Sequence, residues 1–233
     1  MDGILLIDKP GGITSHDVVA RVRRILQQRD VGHAGTLDPM ATGLLVVLVG
    51  EATRLSTWLT LDRKRYVATV RFGVATDSLD ADGSVTETSD VTPSREAVEA
   101  ALAGSVGPLL QVPPAVSAIK VDGVAMHERV RRGEAVALAP RPVTLLRAEL
   151  LGYEPEPPTC VVDLSTSKGF YVRAFARDLA AALGTVAHLT ALRRTESGAF
   201  TVAEALDPDT LTRAWQRDEA AREAVRARVL PIA

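Results

Sequence analysis

Six consecutive branched aliphatic residues, Leu44-Leu-Val-Val-Leu-Val49, form the most apolar run of the chain. Closed by Gly50, the run reads as a buried strand, and a strand of that kind fixes where a core must be. What precedes it is opposite in character. Residues 31–43, Val-Gly-His-Ala-Gly-Thr-Leu-Asp-Pro-Met-Ala-Thr-Gly, read as a loop, because Gly32, Gly35, Pro39 and Gly43 would punctuate any helix or strand. A polar loop clamped beside a core strand makes a rigid surface platform, and such platforms tend to carry function. Asp38 is its only carboxylate. Pro39 biases Asp38 toward an extended backbone, which helps to fix where the carboxylate points. Taken alone, an Asp-Pro pair in a loop is more often an Asx-type turn than a functional acid.

At 233 residues, 46% of them hydrophobic, the chain has room for one large globular domain or two small ones. No apolar run approaches the ~20 residues that span a bilayer. The amino terminus lacks the basic start and long apolar stretch of a signal peptide. The one cysteine, Cys160, excludes an internal disulfide and a cysteine-based metal site. These features point to a cytoplasmic protein. A net charge of −2 weighs mildly against a nucleic-acid binder, but local clusters matter more than the sum. Basic residues cluster at Arg21/Arg23/Arg24, Arg63/Lys64/Arg65, Arg129/Arg131/Arg132 and Arg193/Arg194. Any one of these by itself is more often a solvated face than a site.

Taken in order, residues 3–7 read as a strand that ends in a turn through Asp8, Lys9, Pro10, Gly11 and Gly12. Ser15 is the expected N-cap of a helix whose apolar stripe is Val18, Val19, Val22, Ile25 and Leu26. Lys9-Pro-Gly-Gly lacks the Gly-Lys-Ser/Thr ending of a phosphate-binding loop, so nucleotide hydrolysis is not expected. Residues 51–59 have the spacing of a short helix, and 64–73 alternate as a half-buried strand carrying Tyr66. Residues 76–83 fail as a calcium loop, because Ser78 and Ser89 stand where acids are expected, and they read as a solvent-facing acidic turn. A helix starts near Thr92–Glu96 and stops at Gly104. Residues 144–153 and 159–167 read as strands joined by a loose 154–158 loop, followed by a helix over 174–183. Arg173 at that helix start opposes the macrodipole and wants an anionic partner. His188, in an apolar strand pattern, reads as structural. Residues 208–228 read as one charged helix. The class is α+β.

Five ordered stretches resemble the TruB family of pseudouridine synthases, and together they cover nearly the whole chain. The first is Lys9-Pro10 with Gly12, Thr14 and Ser15. The second is the signature Gly32-His-Ala-Gly-Thr-Leu-Asp-Pro-Met-Ala-Thr-Gly43. The third is Lys64-Arg65-Tyr66, followed by the Thr-Asp-x-x-Asp-x-x-Gly turn at 76–83. The others are Lys168-Gly-Phe-Tyr-Val-Arg173 and the 187–195 segment around Leu192. A further segment, 111–120, resembles Gln-x-Pro-Pro-x-Tyr-Ser-Ala-x-Lys but departs at Val116, and a helix at 123–133 carries His127 before Glu128. The resemblance implies a pseudouridine-synthase fold: a mixed, mostly antiparallel bent sheet flanked by helices, with a central active-site cleft. It implies a single catalytic domain over 1–233, without the PUA domain of most relatives.

The implied reaction isomerises the T-loop uridine of transfer RNA. The N-glycosidic bond breaks, the uracil turns, and a C–C bond forms. No redox change or external leaving group is involved, so no cofactor or metal is expected. One ionised carboxylate and a closed apolar slot are required. By the resemblance, Asp38, Tyr66 and Arg173 are catalytic, and Arg173 is expected to pair with Asp38 and keep it ionised. His33, Tyr66, Tyr171, Leu192 and Lys9 are implied in substrate binding, with His33 filling the space of a base turned out of the T loop. Whether Asp38 attacks the ribose directly stays open. The expected partner is the transfer-RNA T-arm, with no membrane or protein partner and a monomeric state. The alternatives are a two-carboxylate glycosidic hydrolase, for which no second acid stands beside these tyrosines, and a non-catalytic RNA-binding or RNA-folding module on the same scaffold.

Overall fold

The computed structural model describes residues 1–60, 63–115, 120–121, 124–125 and 138–232. Its strands are β1 Gly3–Lys9, β2 Val31–Ala34, β3 Thr42–Val49, β4 Lys64–Phe72, β5 Val74–Thr76, β6 Val85–Thr88, β7 Gly107–Gln111, β8 Lys120–Val121, β9 Val124–Ala125, β10 Arg141–Pro155, β11 Pro158–Thr166, β12 Ala187–Ser197, β13 Phe200–Thr201 and β14 Leu230–Pro231. Its helices are α1 Ser15–Leu26, α2 Ser56–Thr60, α3 Arg95–Gly104, α4 Val172–Ala182, α5 Pro208–Trp215 and α6 Glu219–Ala227. The main sheet runs β14-β1-β3-β12-β4-β11-β10-β7 and is mixed, since β12 is parallel to β3 while β1, β2, β10 and β11 pair antiparallel. The chain forms two compact units, Met1–Tyr66 with Arg193–Ala233, and Val67–Leu192.

In the first unit β3 is the spine. It pairs over Gly43–Val49 with β1, and on its other edge with β2 over Val46–Val49 and with β12 at Thr42–Gly43. Its aliphatic run is wholly buried, and Leu44, Val46 and Leu48 on one face pack with Leu6, Ala34 and Ala52. Residues 31–34, expected as loop, are therefore strand β2. A buried strand leaves no backbone donor or acceptor unpaired, and that demand outweighs the glycine at position 32. Helix α1 buries Val18, Val19, Val22 and Ile25 as its spacing predicts. Its N-cap, however, is Thr14, in a reciprocal capping box with Asp17, which leaves Ser15 free for another task. The charged tail is two helices rather than one. Arg217 turns left-handed (φ 72°) and Asp218 caps a fresh helix start.

In the second unit β10 and β11 form a long hairpin whose pairing continues to Pro155 opposite Pro158, so the 154–158 stretch is ordered into a tight turn. Strand β4 alternates as expected, with Ala68, Val70 and Phe72 buried. Helix α3 starts at the Ser94 cap and ends at Gly104, as read from the sequence. His188 is buried with Nδ1 2.8 Å from the Val74 carbonyl, the structural place expected for it. No helix among the described residues is long and apolar enough to cross a membrane.

Leu48 has no exposed surface and belongs to the buried cluster around β3. Leu48→Ala is expected to cost about 2–5 kcal/mol, because the strand is paired on both sides and cannot collapse onto the cavity. Urea unfolding gives the number, and a loss under about 1 kcal/mol would mean that the core repacks around β3.

Candidate active site

Asp38 lies in the segment 35–41 that joins β2 to β3, and its side chain is half-buried. The carbonyls on either side of it are held by other parts of the first unit. Ser15, released from capping, donates its hydroxyl to the Leu37 carbonyl (3.0 Å) and accepts the Leu37 N–H (2.8 Å). The Pro39 carbonyl accepts from the Gly12 N–H at 2.9 Å and from the Lys9 ammonium at 3.2 Å. The Asp38 carbonyl accepts from the Ala41 N–H at 3.1 Å, closing a turn. Thus the Lys9–Ser15 segment grips the residue before Asp38 and the residue after it.

Lys9 has no exposed surface. Besides Pro39, its ammonium donates to the carbonyls of Pro10 (2.8 Å) and Ile13 (2.7 Å). An ammonium has three hydrogens, and all three are engaged by main chain. Lys9, implied in substrate binding, thus has its ammonium bonded to the main chain of the Lys9–Ile13 turn and of the 35–41 segment. Burial lowers its pKa from 10.5 to about 8, while the negative charge of Asp38 opposes the fall. Asp38 accordingly has a cation in its own unit. His33, on β2, is held below its usual pKa by burial and by the positive charges of Arg194 and His16, and its Nδ1 is buried without a hydrogen-bond partner. A neutral imidazole is the form that stacks like a base. Tyr66 is buried on β4, 8% exposed.

The second unit holds the other implied residues. Tyr171 caps α4 with an extended backbone. The buried Gln111 side chain clamps it, accepting the Tyr171 N–H at 2.9 Å and donating to the Tyr171 carbonyl at 3.2 Å. Two residues on, Arg173 is 4% exposed, donates to the Ser78 carbonyl at 2.6 Å and lies 3.5 Å from the Asp80 carboxylate. Asp80 in turn accepts from the Ser78 hydroxyl (2.5 Å) and the Asp82 N–H (3.2 Å). The turn at 76–83 is therefore not solvent-facing throughout. Asp80 and Thr76 are buried, because an arginine at the start of α4 takes up the acid. Leu192 is 7% exposed on β12.

Several basic clusters serve the fold. Arg193 binds both oxygens of Asp8 (2.9 and 2.7 Å), and the buried Arg194 binds main-chain carbonyls. Lys64 donates to the Thr60 carbonyl, Arg65 pairs with Glu196, Arg23 donates to the Val31 carbonyl, and Arg24 lies 4.8 Å from the Trp215 ring. Arg129, Arg131, Arg132, Val116, His127 and Glu128 lie outside the described residues. Gln111, Asp80, Ser15 and Arg194 are the supporting residues that sequence reasoning missed. All four lie in the motifs given by the sequence, but spacing does not say which backbone atom a side chain reaches.

A family model described as TruB family pseudouridylate synthase (N terminal domain) matches residues 23–172, and one described as tRNA pseudouridylate synthase B C-terminal domain matches residues 173–233. A tRNA pseudouridine synthase B from Mycobacteroides abscessus is 48% identical over 220 residues, which covers 90% of this chain and 74% of that protein. One from Opitutus terrae is 49% identical over 212 residues, covering 91% and 87%. Among solved structures, the crystal structure of a Cbf5-Nop10-Gar1 complex superposes with a TM-score of 0.73 at 27% identity over 98% of this chain. This chain spans 60% of the length of that one. The fold is that of the pseudouridine synthases. The chain belongs to the TruB family, whose members are isomerases that act on transfer RNA.

The buried lysine gives a signed pH dependence. Below pH 8 it is protonated in both folded and unfolded chains, and the cost of burying its charge is fully present. From pH 8 to 10.5 the unfolded chain binds more protons, so this group's contribution makes stability rise with pH. The Cys160 thiol, pushed by burial up to about 12 from 9.0, works the other way at the top of that range. The wild-type minus Lys9→Met difference in unfolding free energy isolates the lysine and should climb between pH 8 and 10.5. A flat difference would show that Lys9 is not buried as a cation.

Proposed function

We propose that this chain converts the T-loop uridine of transfer RNA to pseudouridine, with the Asp38 carboxylate acting as nucleophile on a base turned out of the loop. The observation that carries the reading is the support of the 35–41 segment, in which the main chain on both sides of the carboxylate is fixed by side chains of the Lys9–Ser15 segment. Chemistry that depends on one carboxylate gains from holding it where attack is needed, since effective molarity falls steeply with misplacement. A module that only bound or refolded RNA would have no use for that rigidity. The names of the relatives at 48% and 49% identity support the same reading.

Tyr66 is the residue for stacking on uracil and for proton handling through its hydroxyl. Tyr171 and Leu192 supply apolar surface for the freed base, which Gln111 serves by fixing the Tyr171 backbone. His33, neutral and base-like, takes the place of the extruded nucleotide in the T loop. Arg173 is the arginine of the catalytic set. The freed uracil stays in the site and re-bonds through carbon, so the reaction as proposed takes nothing from a cofactor or metal.

The deciding experiment incubates unmodified T-arm RNA with the protein and assays pseudouridine. Asp38→Asn should abolish conversion and leave RNA affinity within about tenfold, because one carboxylate adds little among many phosphate contacts. Sizeable residual turnover would remove Asp38 from the nucleophile role, and no conversion by the wild type would favour the binding module. For Arg173, saturated rates should fall in the order wild type, Arg173→Lys, Arg173→Met. Lysine keeps the charge but loses the planar fork that can reach two acceptors. Equal rates for the lysine variant and the wild type would remove the requirement for the fork.

A further inference from the structure

Among the described residues, Arg194 is the bulkiest of the side chains that are less than 2% exposed. It stands on β12, which enters the sheet parallel to β3 with Arg194 opposite Gly43. Strand alternation sends its neighbour Arg193 the other way, to Asp8 at the partly open surface. The guanidinium of Arg194 goes to three carbonyls: Leu44 at 2.8 Å from Nε, Gly35 at 3.0 Å from Nη2, and Thr36 at 3.5 Å from Nη1. Gly35 and Thr36 begin the segment that carries Asp38, and Leu44 lies just past its end. One planar cation therefore spans the neck of the loop.

The glycines at this neck fit the same purpose. A Cβ on Gly43 would stand 2.2 Å from the Arg194 carbonyl oxygen, so only glycine lets β12 come close enough to deliver the side chain. Gly35 has φ +91°, and a Cβ there would meet Nη1 at 3.4 Å. With the Ser15, Gly12 and Lys9 bonds, the Arg194 bonds complete the set of held carbonyls at 35, 36, 37 and 39.

We propose that Arg194 is a positioning residue for the isomerisation: by bonding the main chain at both ends of the 35–41 loop it sets where the Asp38 carboxylate stands. The proposal rests on the reading of Asp38 as nucleophile. Arg194 acts through backbone geometry, so its charge alone does not suffice. Lysine would keep the positive charge that bears on Lys9 and His33 but has no fork to bridge two strands.

The test measures single-turnover rate at saturating T-arm RNA, RNA affinity, and amide hydrogen exchange over residues 35–41. Arg194→Lys should leave affinity unchanged, lower the saturated rate by about 10²-fold, as a misplacement of ~1 Å does, and speed exchange in the loop. Val225→Ala, a core truncation in α6, controls for simple destabilisation. Assayed well below its melting temperature, it should keep the wild-type rate and loop exchange. A wild-type saturated rate in Arg194→Lys overturns the proposal. So does a loss confined to affinity, which would make Arg194 an RNA contact, or an equal rate loss in Val225→Ala. If Arg194→Lys does not fold, Arg194→Gln, whose neutral amide can reach one carbonyl but cannot span both ends of the loop, decides by the same criteria. Asp38→Asn is run in parallel. If it stays active, the nucleophile reading fails whatever Arg194 does; if it is inactive while Arg194→Lys is not, only the positioning role fails.

Discussion

Buried cations bonded to main-chain carbonyls hold the Asp38 segment, and much of the first unit can be understood as the means of placing them. Lys9 reaches Pro39, and Arg194 reaches Gly35, Thr36 and Leu44. Each has little or no exposed surface. Removing a cation from water is costly, and a carbonyl repays the cost only when it is close and well directed. Lys9 meets that condition with three carbonyls, and Arg194 with those of Leu44 and Gly35, the Thr36 carbonyl standing farther off at 3.5 Å. The result is a loop whose shape is fixed by charge-assisted hydrogen bonds, where apolar packing alone would leave the backbone free to shift.

The sheet makes this arrangement possible. Strand β3 is so apolar that it must be covered along its length, and it draws β1 to one edge and β2 and β12 to the other. Where β2 ends and β12 begins, the loop leaves the sheet. Lys9 arrives there as the last residue of β1, opposite Gly43, and Arg194 arrives on β12 opposite the same glycine. Two strands flank one glycine, and each contributes a cation to the loop that starts beside it. The second unit repeats the tactic with different chemistry. Gln111 fixes the Tyr171 backbone with a neutral amide, and the Asp80 turn meets Arg173 with a carboxylate and a carbonyl.

Helix termini show how local rules can be right in kind and wrong by one residue. Thr14 and Ser15 are both competent caps. Thr14 wins because Asp17 completes the capping box with it, and the loss of that job lets Ser15 serve Leu37. The same competition explains the tail. Its composition is helical throughout, but Asp218 is a stronger helix start than Gln216–Asp218 is a helix interior, and the chain breaks there.

The amino-acid sequence by itself determined the strands and helices that have clear periodicity, the buried spine at β3, the class of the fold, and Asp38, Tyr66, Tyr171, Arg173 and Leu192 as residues in recognisable motifs. These follow from local pattern, which a sequence carries directly. It did not determine that residues 31–34 would be a strand, that Asp80 would be buried, or that Arg194 and Lys9 would serve the loop. Each of those depends on which backbone groups another part of the chain brings near. A strand at 31–34 exists because β3 has an edge to satisfy, and Asp80 is buried because Arg173 is there to receive it. An arginine in sequence is equally a phosphate contact or a main-chain clamp. Only the tertiary structure decided between them, because the choice turns on whether carbonyl oxygens or water surround the guanidinium.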